Sequence, residues 1–184
     1  SMKRYTFRGG THVNEHKDTA GLQTERLPEP ASVCIPLSQH IGAPAVPVVA
    51  VGDSVRIGQK IGDVGGGLGC PVHASVSGTV KAIVTKRNAM GAPVTNVVIE
   101  NDGLRTQDDS MKPVAKPLSE ATPEEIVAIV REAGISGLGG ATFPTYAKIQ
   151  SAMGKATRVI VNCAECEPYL TANHRLLLER GEIV

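Results

Sequence analysis

The chain has 184 residues, with 19 Lys and Arg against 18 Asp and Glu, which gives a formal net charge of +1. This balance argues against the basic surface that nucleic acids and anionic membranes attract. Aromatic residues make up only 3% and Trp is absent, so an aromatic platform for stacking single-stranded nucleic acid is hard to build. We therefore expect no nucleic-acid partner. The 20 glycines and 12 prolines predict many tight turns between short strands.

No apolar run approaches the roughly 20 residues of a membrane span, and the first residues lack the apolar core of a signal peptide. Ser1 before Met2 is typical of a tag remnant, and we expect the chain to be part of a longer protein. Four cysteines without an export signal predict reduced thiols in the cytoplasm. They are Cys34, Cys70, Cys163 and Cys166.

The first hundred residues predict a polar segment followed by a small β domain. Residues 1–30 are polar and irregular, with a candidate edge strand at 4–7. Residues 31–100 hold short Val- and Ile-rich runs, which Gly and Pro separate at the spacing of a small barrel or sandwich. We predict strands at 33–37, 46–51, 54–57, 74–76, 78–84 and 94–100.

Hydrophobic periodicity disappears in residues 101–121, which contain Pro113 and Pro117. We interpret this stretch as a linker or as a segment that wraps over a neighbouring domain.

Residues 122–184 alternate between helical and extended patterns. Thr122, Pro123 and Glu125 form the signature of a capped helix start, and we expect the helix to stop at Gly134. Further along we predict a glycine-rich loop at 137–142, a helix at 144–153, a buried parallel strand at 158–163 and a last helix capped by Thr171. One strand cannot make a sheet, so these residues predict the beginning of an α/β domain.

Two segments in the β domain, 51–63 and 71–83, resemble the hammerhead of biotinyl and lipoyl carrier domains. Those domains carry their prosthetic group on a lysine at a hairpin tip between the two segments. Here the interval 64–70 contains no lysine, and Lys60 lies inside the first segment. The resemblance therefore implies a barrel-sandwich hybrid without a covalently attached cofactor.

The glycine-rich run from Gly137 to Lys148 reads G-L-G-G-A-T-F-P-T-Y-A-K. Several glycines let backbone N–H groups approach an anion, and the helix that follows adds the positive end of its dipole. Lys148 lies about one turn into that helix, within reach of a phosphate. The run matches neither a Walker loop nor a Rossmann fingerprint, and a plain connection between two helices stays open as the alternative.

A second candidate site follows the predicted strand at 158–163. Asn162 lies near its carboxyl end, where ligands bind in open α/β sheets, and Glu165 and Glu167 crowd the same turn. A solvated turn is the alternative. Cys163 and Cys166 form a C-x-x-C pair, but the chain offers neither the partners of a zinc site nor a ferredoxin cysteine run.

Together, "G-x-G-G-A-x-F-P-T-x-x-K" and the later "V-N-x-x-E-x-E-P" resemble the FMN- and NADH-binding domain of the flavin subunit of respiratory complex I. Runs at 8–12, 35–44 and 164–175 are similar to the C subunits of the Rnf electron-transport complex, an ion-translocating ferredoxin:NAD oxidoreductase. This resemblance covers nearly the whole chain. Related electron-transfer proteins associated with cobalamin reductase or proline reductase share the architecture.

The resemblance implies roles for individual residues. It places FMN contacts at Gly137, Gly139, Gly140, Lys148, Asn162 and Glu165, and it places Phe143 and Glu167 towards NADH. Two positions depart from the complex I pattern, because Leu138 stands where that family has Arg and Ala164 stands where it has an acidic residue.

The implied fold class is mixed: a barrel-sandwich hybrid (31–100) follows the polar segment (1–30), and a linker (101–121) leads to a truncated FMN/NADH-binding domain (122–184). The implied function is electron exchange between NAD(H), FMN and iron–sulfur clusters. Two [4Fe–4S] clusters are expected beyond residue 184 and none within the chain.

The implied partners are NADH, ferredoxin-linked electron carriers and the other subunits of a membrane complex, at whose cytoplasmic face the protein would be peripheral. The alternative is a scaffold or docking module without catalytic activity. We expect the chain by itself to be inactive and to bind FMN weakly or not at all.

Overall fold

The computed structural model of the chain describes residues 9–11, 13–113, 116–138 and 142–183. The chain divides into two compact units. We call residues 28–157 the barrel unit, and the described residues of 1–27 and 158–184 the second unit. The candidate edge strand at 4–7 lies outside the described residues. Within the described ranges, no helix is long and apolar enough to cross a membrane.

Among the described residues of the barrel unit, seven strands form two sheets, and every strand pairing is antiparallel. The four-stranded sheet has the order β1-β7-β6-β3, and the three-stranded sheet has the order β2-β4-β5. The strands are β1 (Ser32–Pro36), β2 (Val46–Pro47), β3 (Ser54–Val55), β4 (Lys60–Asp63), β5 (Val72–His73), β6 (Gly78–Arg87) and β7 (Pro93–Asn101).

The predicted strands at 33–37, 78–84 and 94–100 are confirmed as β1, β6 and β7 with small shifts of their ends. The predicted strands at 46–51 and 54–57 are too long, since β2 and β3 contain two residues each. Ile57 forms an isolated parallel bridge with Gln107 instead of continuing β3. The prediction at 74–76 is wrong. Ala74 and Val76 are buried without strand pairing, while β5 lies just before them and β4 was missed.

Side chains from both sheets fill one apolar core. Val80, Val97 and Ile99 on the long strands are completely buried. Leu37 and Ile61 meet them at equal depth. Each such side chain contributes roughly 1.5–3 kcal/mol of hydrophobic stabilisation, so this core holds the barrel together.

A tight backbone approach fixes the start of β6. Gly78 has φ of +150°, and a Cβ at this position would lie 1.8 Å from the carbonyl oxygen of Glu100 on β7. Only glycine allows the two strands to come this close. Beyond it the β6–β7 register shifts between Val80 and Ala82, which gives the sheet its curl.

Part of the segment 101–121 follows the barrel surface. The Ile57 amide donates to the carbonyl of Thr106 at 2.9 Å, and the Asp108 amide donates back to Ile57 at 2.9 Å. Farther on, the side chain of Met111 lies directly over Gly58.

The described residues of the barrel unit also form two α-helices, α1 (Pro123–Glu132) and α2 (Thr145–Ala152). The predicted capping box of α1 is confirmed. The Thr122 hydroxyl accepts a bond from the Glu125 amide at 3.2 Å, and the Glu125 carboxylate accepts one from the Thr122 amide at 2.7 Å. The predicted second helix at 144–153 is confirmed as α2, with Pro144 at the N-cap position.

The second unit contains helix α3 (Ala172–Arg180) but no strand among its described residues. The predicted strand at 158–163 is therefore wrong. Val159 and Ile160 are 91% and 89% exposed, because no neighbouring strand in the described part of the chain pairs with this run. The predicted last helix is confirmed as α3 with Thr171 at its N-cap position, but the Thr171 side chain makes no capping bond to it.

Candidate functional site

The base of the glycine loop is closed by backbone pairing. Ser136 and Pro144 form an antiparallel bridge, and the Gly137 amide donates to the carbonyl of Phe143 at 3.1 Å. The Thr145 amide donates to the carbonyl of Ile135 at 3.0 Å. The two ends of the loop are thereby held together immediately before helix α2 begins. Gly139 and Gly140 lie outside the described residues.

Lys148 points back towards this loop from the first turn of α2. Its ammonium group lies 5.9 Å from the centre of the Phe143 ring, in the geometry of a cation–π contact. Buried Pro144 and Tyr146 anchor the start of the helix. A positive charge and a helix N-terminus thus lie at the base of the loop, and this combination suits a phosphate.

The second set of predicted residues lies in the turn before α3. The Asn162 side-chain oxygen accepts a hydrogen bond from the Ala164 amide at 3.0 Å. This bond folds the backbone into a local turn, and the side-chain amide keeps two N–H donors for other partners.

Glu165 caps helix α3 from a distance in sequence. Its carboxylate accepts bonds from the backbone amides of Asn173 at 2.8 Å and His174 at 3.1 Å. It also accepts one from the side chain of Asn173 at 3.3 Å. A negative charge at a helix N-terminus is favourable, and here it fixes the turn that carries Glu165 and Glu167 onto the helix.

Glu167 lies in a groove of about 400 Å³ within the second unit. The groove is lined by Val13, Glu15, Lys17, Glu165, Cys166, Glu167 and Pro168. The Lys17 ammonium donates to the backbone carbonyls of Glu167 at 2.8 Å and Leu170 at 2.7 Å. This lysine therefore holds the backbone on both sides of Pro168.

Residues 13–24 form a brace on this turn that the sequence patterns did not predict. The rings of His16 and Tyr169 stack with centres 4.9 Å apart, and both residues have positive φ. Thr19 and Thr171 share a hydroxyl hydrogen bond of 2.7 Å. About 150 residues separate these partners along the chain, so no local pattern announces the pairing.

The described site residues fall into two groups. Gly137, Phe143 and Lys148 are brought together in the barrel unit. Asn162, Glu165 and Glu167 belong to the second unit. The first group has the chemistry of a phosphate site, and the second offers carboxylates and an amide, which suit hydroxyl and amide groups of a nucleotide.

Comparison with known families assigns both parts of the chain. Residues 5–104 match the RnfC barrel sandwich hybrid domain. Residues 130–184 match the Nuo51 FMN-binding domain. These two matches confirm the predicted fold class, a barrel-sandwich hybrid followed by the start of an FMN-binding domain.

Several curated proteins are similar along the chain. It is 46% identical to the C subunit of the Na(+)-translocating ferredoxin:NAD(+) oxidoreductase complex of Acetobacterium woodii, over 100% of this chain and 42% of the relative. It is 42% identical to the C subunit of the ion-translocating oxidoreductase complex of Rhodobacter capsulatus, over 98% and 35%. For the C subunit of the proton-translocating ferredoxin:NAD(+) oxidoreductase complex of Clostridium ljungdahlii the values are 41%, 97% and 39%.

The chain thus spans between about one third and two fifths of the length of these relatives. The barrel match alone covers more than half of the chain. The chain therefore belongs to the RnfC family, the C subunits of Rnf-type ion-translocating oxidoreductase complexes.

Proposed function

We propose that this chain is part of an electron-transfer subunit that binds FMN and exchanges electrons with NAD(H) and iron–sulfur clusters. The observation that carries the proposal is the position of Lys148. Its ammonium group lies 5.9 Å from the centre of the Phe143 ring, and the Phe143 carbonyl accepts the Gly137 bond that closes the base of the glycine loop. When bound, FMN converts between two-electron and one-electron transfer. The clusters would be held by residues beyond this chain.

Within the proposed site, Lys148 and the loop glycines Gly139 and Gly140 hold the phosphate, while Gly137, whose amide is bonded to the Phe143 carbonyl, closes the base of the loop. A phosphate carries nearly two negative charges at neutral pH, and a charge-assisted bond to an ammonium group contributes about 1.5–3 kcal/mol. The first turn of α2 adds the favourable end of its dipole. These groups fix the flavin by its phosphate.

By resemblance to the FMN-binding domain, the remaining parts of the ligands are assigned to Phe143 in the barrel unit and to Asn162, Glu165 and Glu167 in the second unit. Asn162 donates from its side-chain amide to the flavin or its ribityl chain, and Glu165 shapes this contact through the turn that it fixes on α3. Phe143 and Glu167 face the nicotinamide nucleotide. The Glu167 carboxylate repels phosphate but accepts hydrogen bonds from ribose hydroxyls or a carboxamide.

The partners in this proposal are NADH, ferredoxin-linked carriers and the other subunits of a membrane complex. The relatives from Acetobacterium woodii and Clostridium ljungdahlii carry names that describe ferredoxin:NAD(+) oxidoreductase complexes, which supports this choice. We place the protein at the cytoplasmic face of the membrane, attached through those subunits.

The phosphate role of Lys148 can be tested by comparing FMN with riboflavin, which lacks the phosphate. In a polypeptide of the relatives' full length, Lys148→Gln should weaken FMN binding by roughly ten- to hundredfold and leave riboflavin binding unchanged. Lys155→Gln, just beyond α2, is the matched control. Equal loss for both ligands, or no loss for FMN, would show that Lys148 does not bind the phosphate.

Glu167 should separate from Lys148 in the same assay. Glu167→Gln should raise the KM for NADH while the protein keeps its yellow flavin colour, because the carboxylate contacts the nucleotide and not the phosphate of FMN. Glu25→Gln in the same unit provides the control. A Glu167→Gln protein that is colourless, beside a yellow Lys148→Gln protein, would invert these assignments.

The scaffold alternative makes a different prediction. A docking module would bind neither flavin, and both variants would behave like the unchanged protein in the titration. Retention of FMN by the full-length polypeptide, seen as absorbance at about 450 nm, decides between the two functions.

A further inference from the structure

The turn that ends helix α1 lies directly on the barrel. Gly134 has φ of +67°, and a Cβ at this position would lie 2.6 Å from the carbonyl oxygen of Pro71 and 3.0 Å from Nδ1 of His73. Any larger residue would have to push the turn away from the barrel. We call Cys70, Pro71 and His73 the barrel seat.

The barrel seat also contacts the residues on both sides of Gly134. The thiol of Cys70 is completely buried and lies 3.9 Å from the carbonyl oxygen of Ile135. Its backbone amide donates to Nε2 of His40 at 3.1 Å, which fixes this end of the seat. On the other side, the His73 ring lies against the Gly134 turn, with Nδ1 and Cε1 3.0 and 3.1 Å from the place of a Cβ at Gly134.

A charged clamp strengthens this contact. Lys60 on β4 lies 2.7 Å from the Glu132 carboxylate on α1 and 2.9 Å from Asp63 on its own strand. Hydrogen bonds to both carboxylates raise the pKa of Lys60, and Glu132 contributes more than Asp63. The carrier-like segment of the barrel thus uses its lysine to hold α1.

One peptide group joins the barrel seat to the glycine loop. The carbonyl oxygen of Ile135 faces the Cys70 thiol and also accepts the bond from the Thr145 amide, which begins α2. The next residues, Ser136 and Gly137, pair with the far end of the loop. A displacement of the barrel seat would therefore move both ends of the loop, because Ile135, Ser136 and Gly137 are hydrogen-bonded to the residues that close it.

We infer that the barrel positions the flavin-phosphate loop. In this inference Cys70, Pro71, His73 and Lys60 are positioning residues, which act through the Gly134–Ser136 turn on the loop and on Lys148. The inference rests on the proposed function for the identity of the ligand. The barrel would then have a positioning function, although the interval 64–70 contains no lysine to carry a prosthetic group.

Two glycines provide a matched test. Gly134 and Gly154 both follow a helix and have φ of +67° and +70°, but a Cβ at Gly154 would meet no atom within 4 Å. Gly134→Ala and Gly154→Ala therefore introduce similar backbone strain. Only Gly134→Ala adds a collision with the barrel seat.

Amide hydrogen exchange on the 184-residue chain, without flavin, measures how well the hydrogen bonds at the base of the loop are protected. Gly134→Ala should increase exchange at the Gly137 and Thr145 amides by about tenfold or more, with the β6 and β7 amides changed less than about twofold. Gly154→Ala should leave the Gly137 and Thr145 amides unchanged. An equal effect of the two substitutions on the loop base, no effect of Gly134→Ala, or an equal rise in β7 would overturn the inference.

Lys60 supplies a second test that leaves the glycine geometry intact. Lys60→Gln should increase exchange at Thr145, and Lys60→Arg should restore protection because it keeps the charge. Lys81→Gln is the matched control, since Lys81 pairs with Glu100 at 2.6 Å elsewhere on the barrel. Equal effects of Lys60→Gln and Lys81→Gln would contradict a specific role of the clamp.

Exchange and flavin binding test separate claims. The exchange measurements contain no flavin, so they decide whether the barrel seat holds the loop. The comparison of FMN with riboflavin decides whether the loop binds phosphate. A loop that loosens in Gly134→Ala, in a full-length protein that never binds FMN, would support the positioning inference and contradict the proposed function.

Discussion

Strand β7 and the run 158–163 consist of the same kind of residues and have opposite fates. Val97 and Ile99 in β7 are completely buried, whereas Val159 and Ile160 are 91% and 89% exposed. The difference lies in their neighbours. Strand β7 has β1 on one side and β6 on the other, and the later run pairs with no strand in the described part of the chain.

This comparison shows what the strand propensity of Val and Ile measures. β-Branched side chains fit a pleated, half-buried surface, but the backbone needs a partner to satisfy its N–H and C=O groups. The sequence of 158–163 has the side chains of a buried strand. Without a partner, the run forms no strand and stays exposed.

Matched Ile→Ala substitutions give the largest expected contrast. Ile99→Ala should lower the free energy of unfolding by about 2–5 kcal/mol, because it opens a cavity in the barrel core. Ile160→Ala should change it by less than about 0.5 kcal/mol, since the side chain is already in water. Urea unfolding measures both values. A loss at Ile160 comparable to that at Ile99 would show that the run is buried after all.

Two glycines of the barrel unit, Gly78 and Gly52, both have positive φ but differ in how closely other backbone approaches them. Gly78→Ala should cost roughly 1–3 kcal/mol or more, because its Cβ would collide with the Glu100 carbonyl on β7. Gly52→Ala also has positive φ, but a Cβ there meets nothing within 4 Å, so it should cost less. Thermal unfolding of the two variants tests this order, and equal losses would assign the effect to backbone strain alone.

The helices of the two units differ in how they are capped. Thr122→Ala should destabilise the barrel unit by about 1 kcal/mol, because it removes the hydroxyl that caps α1. Thr122→Ser keeps the hydroxyl and should restore most of the loss.

Helix α3 should lose protection at the His174 amide in Glu165→Ala, since its cap comes from that carboxylate. Hydrogen exchange measures this protection. An unchanged His174 amide in Glu165→Ala would contradict the capping role of Glu165.

Acid should loosen the second unit in a defined range. The bonds from Arg175 and then from the Thr24 amide lower the pKa of Glu179 from 4.5 to about 2. Because the folded pKa is depressed, the stabilisation is present above pH 4.5 and is lost as the pH falls towards about 2. The protection factor of the Thr24 amide, its exchange rate relative to that of an unstructured peptide at the same pH, should fall over this range. Glu179→Gln should remove the pH dependence of this protection factor, and a fall that persists in this variant would implicate another group.

Local patterns predicted the features whose partners lie close in sequence. The capping box of α1 needs only Thr122, Pro123 and Glu125, and the long strands β6 and β7 follow each other directly. The glycine loop with Lys148 could also be predicted, because α2 begins within the same motif. The roles assigned to these site residues stay predictions until ligand binding is measured.

Distant partners could not be predicted in this way. The brace from Lys17, the cap from Glu165 and the contact between Lys60 and Glu132 each join residues that no periodicity connects. Short strands such as β4 were missed for a similar reason. Their pairing depends on which neighbour the curled sheet brings alongside.

The order of amino acids was enough to establish the family motifs, the turn-rich β composition, the helix start at Pro123 and the identity of the chemical groups around Lys148 and Glu167. The folded chain determines which apolar runs become strands and where the glycine loop is held. The physical reason is that side-chain type is a property of each residue, whereas burial and backbone pairing depend on partners. Those partners lie far along the chain, and folding alone brings them into contact.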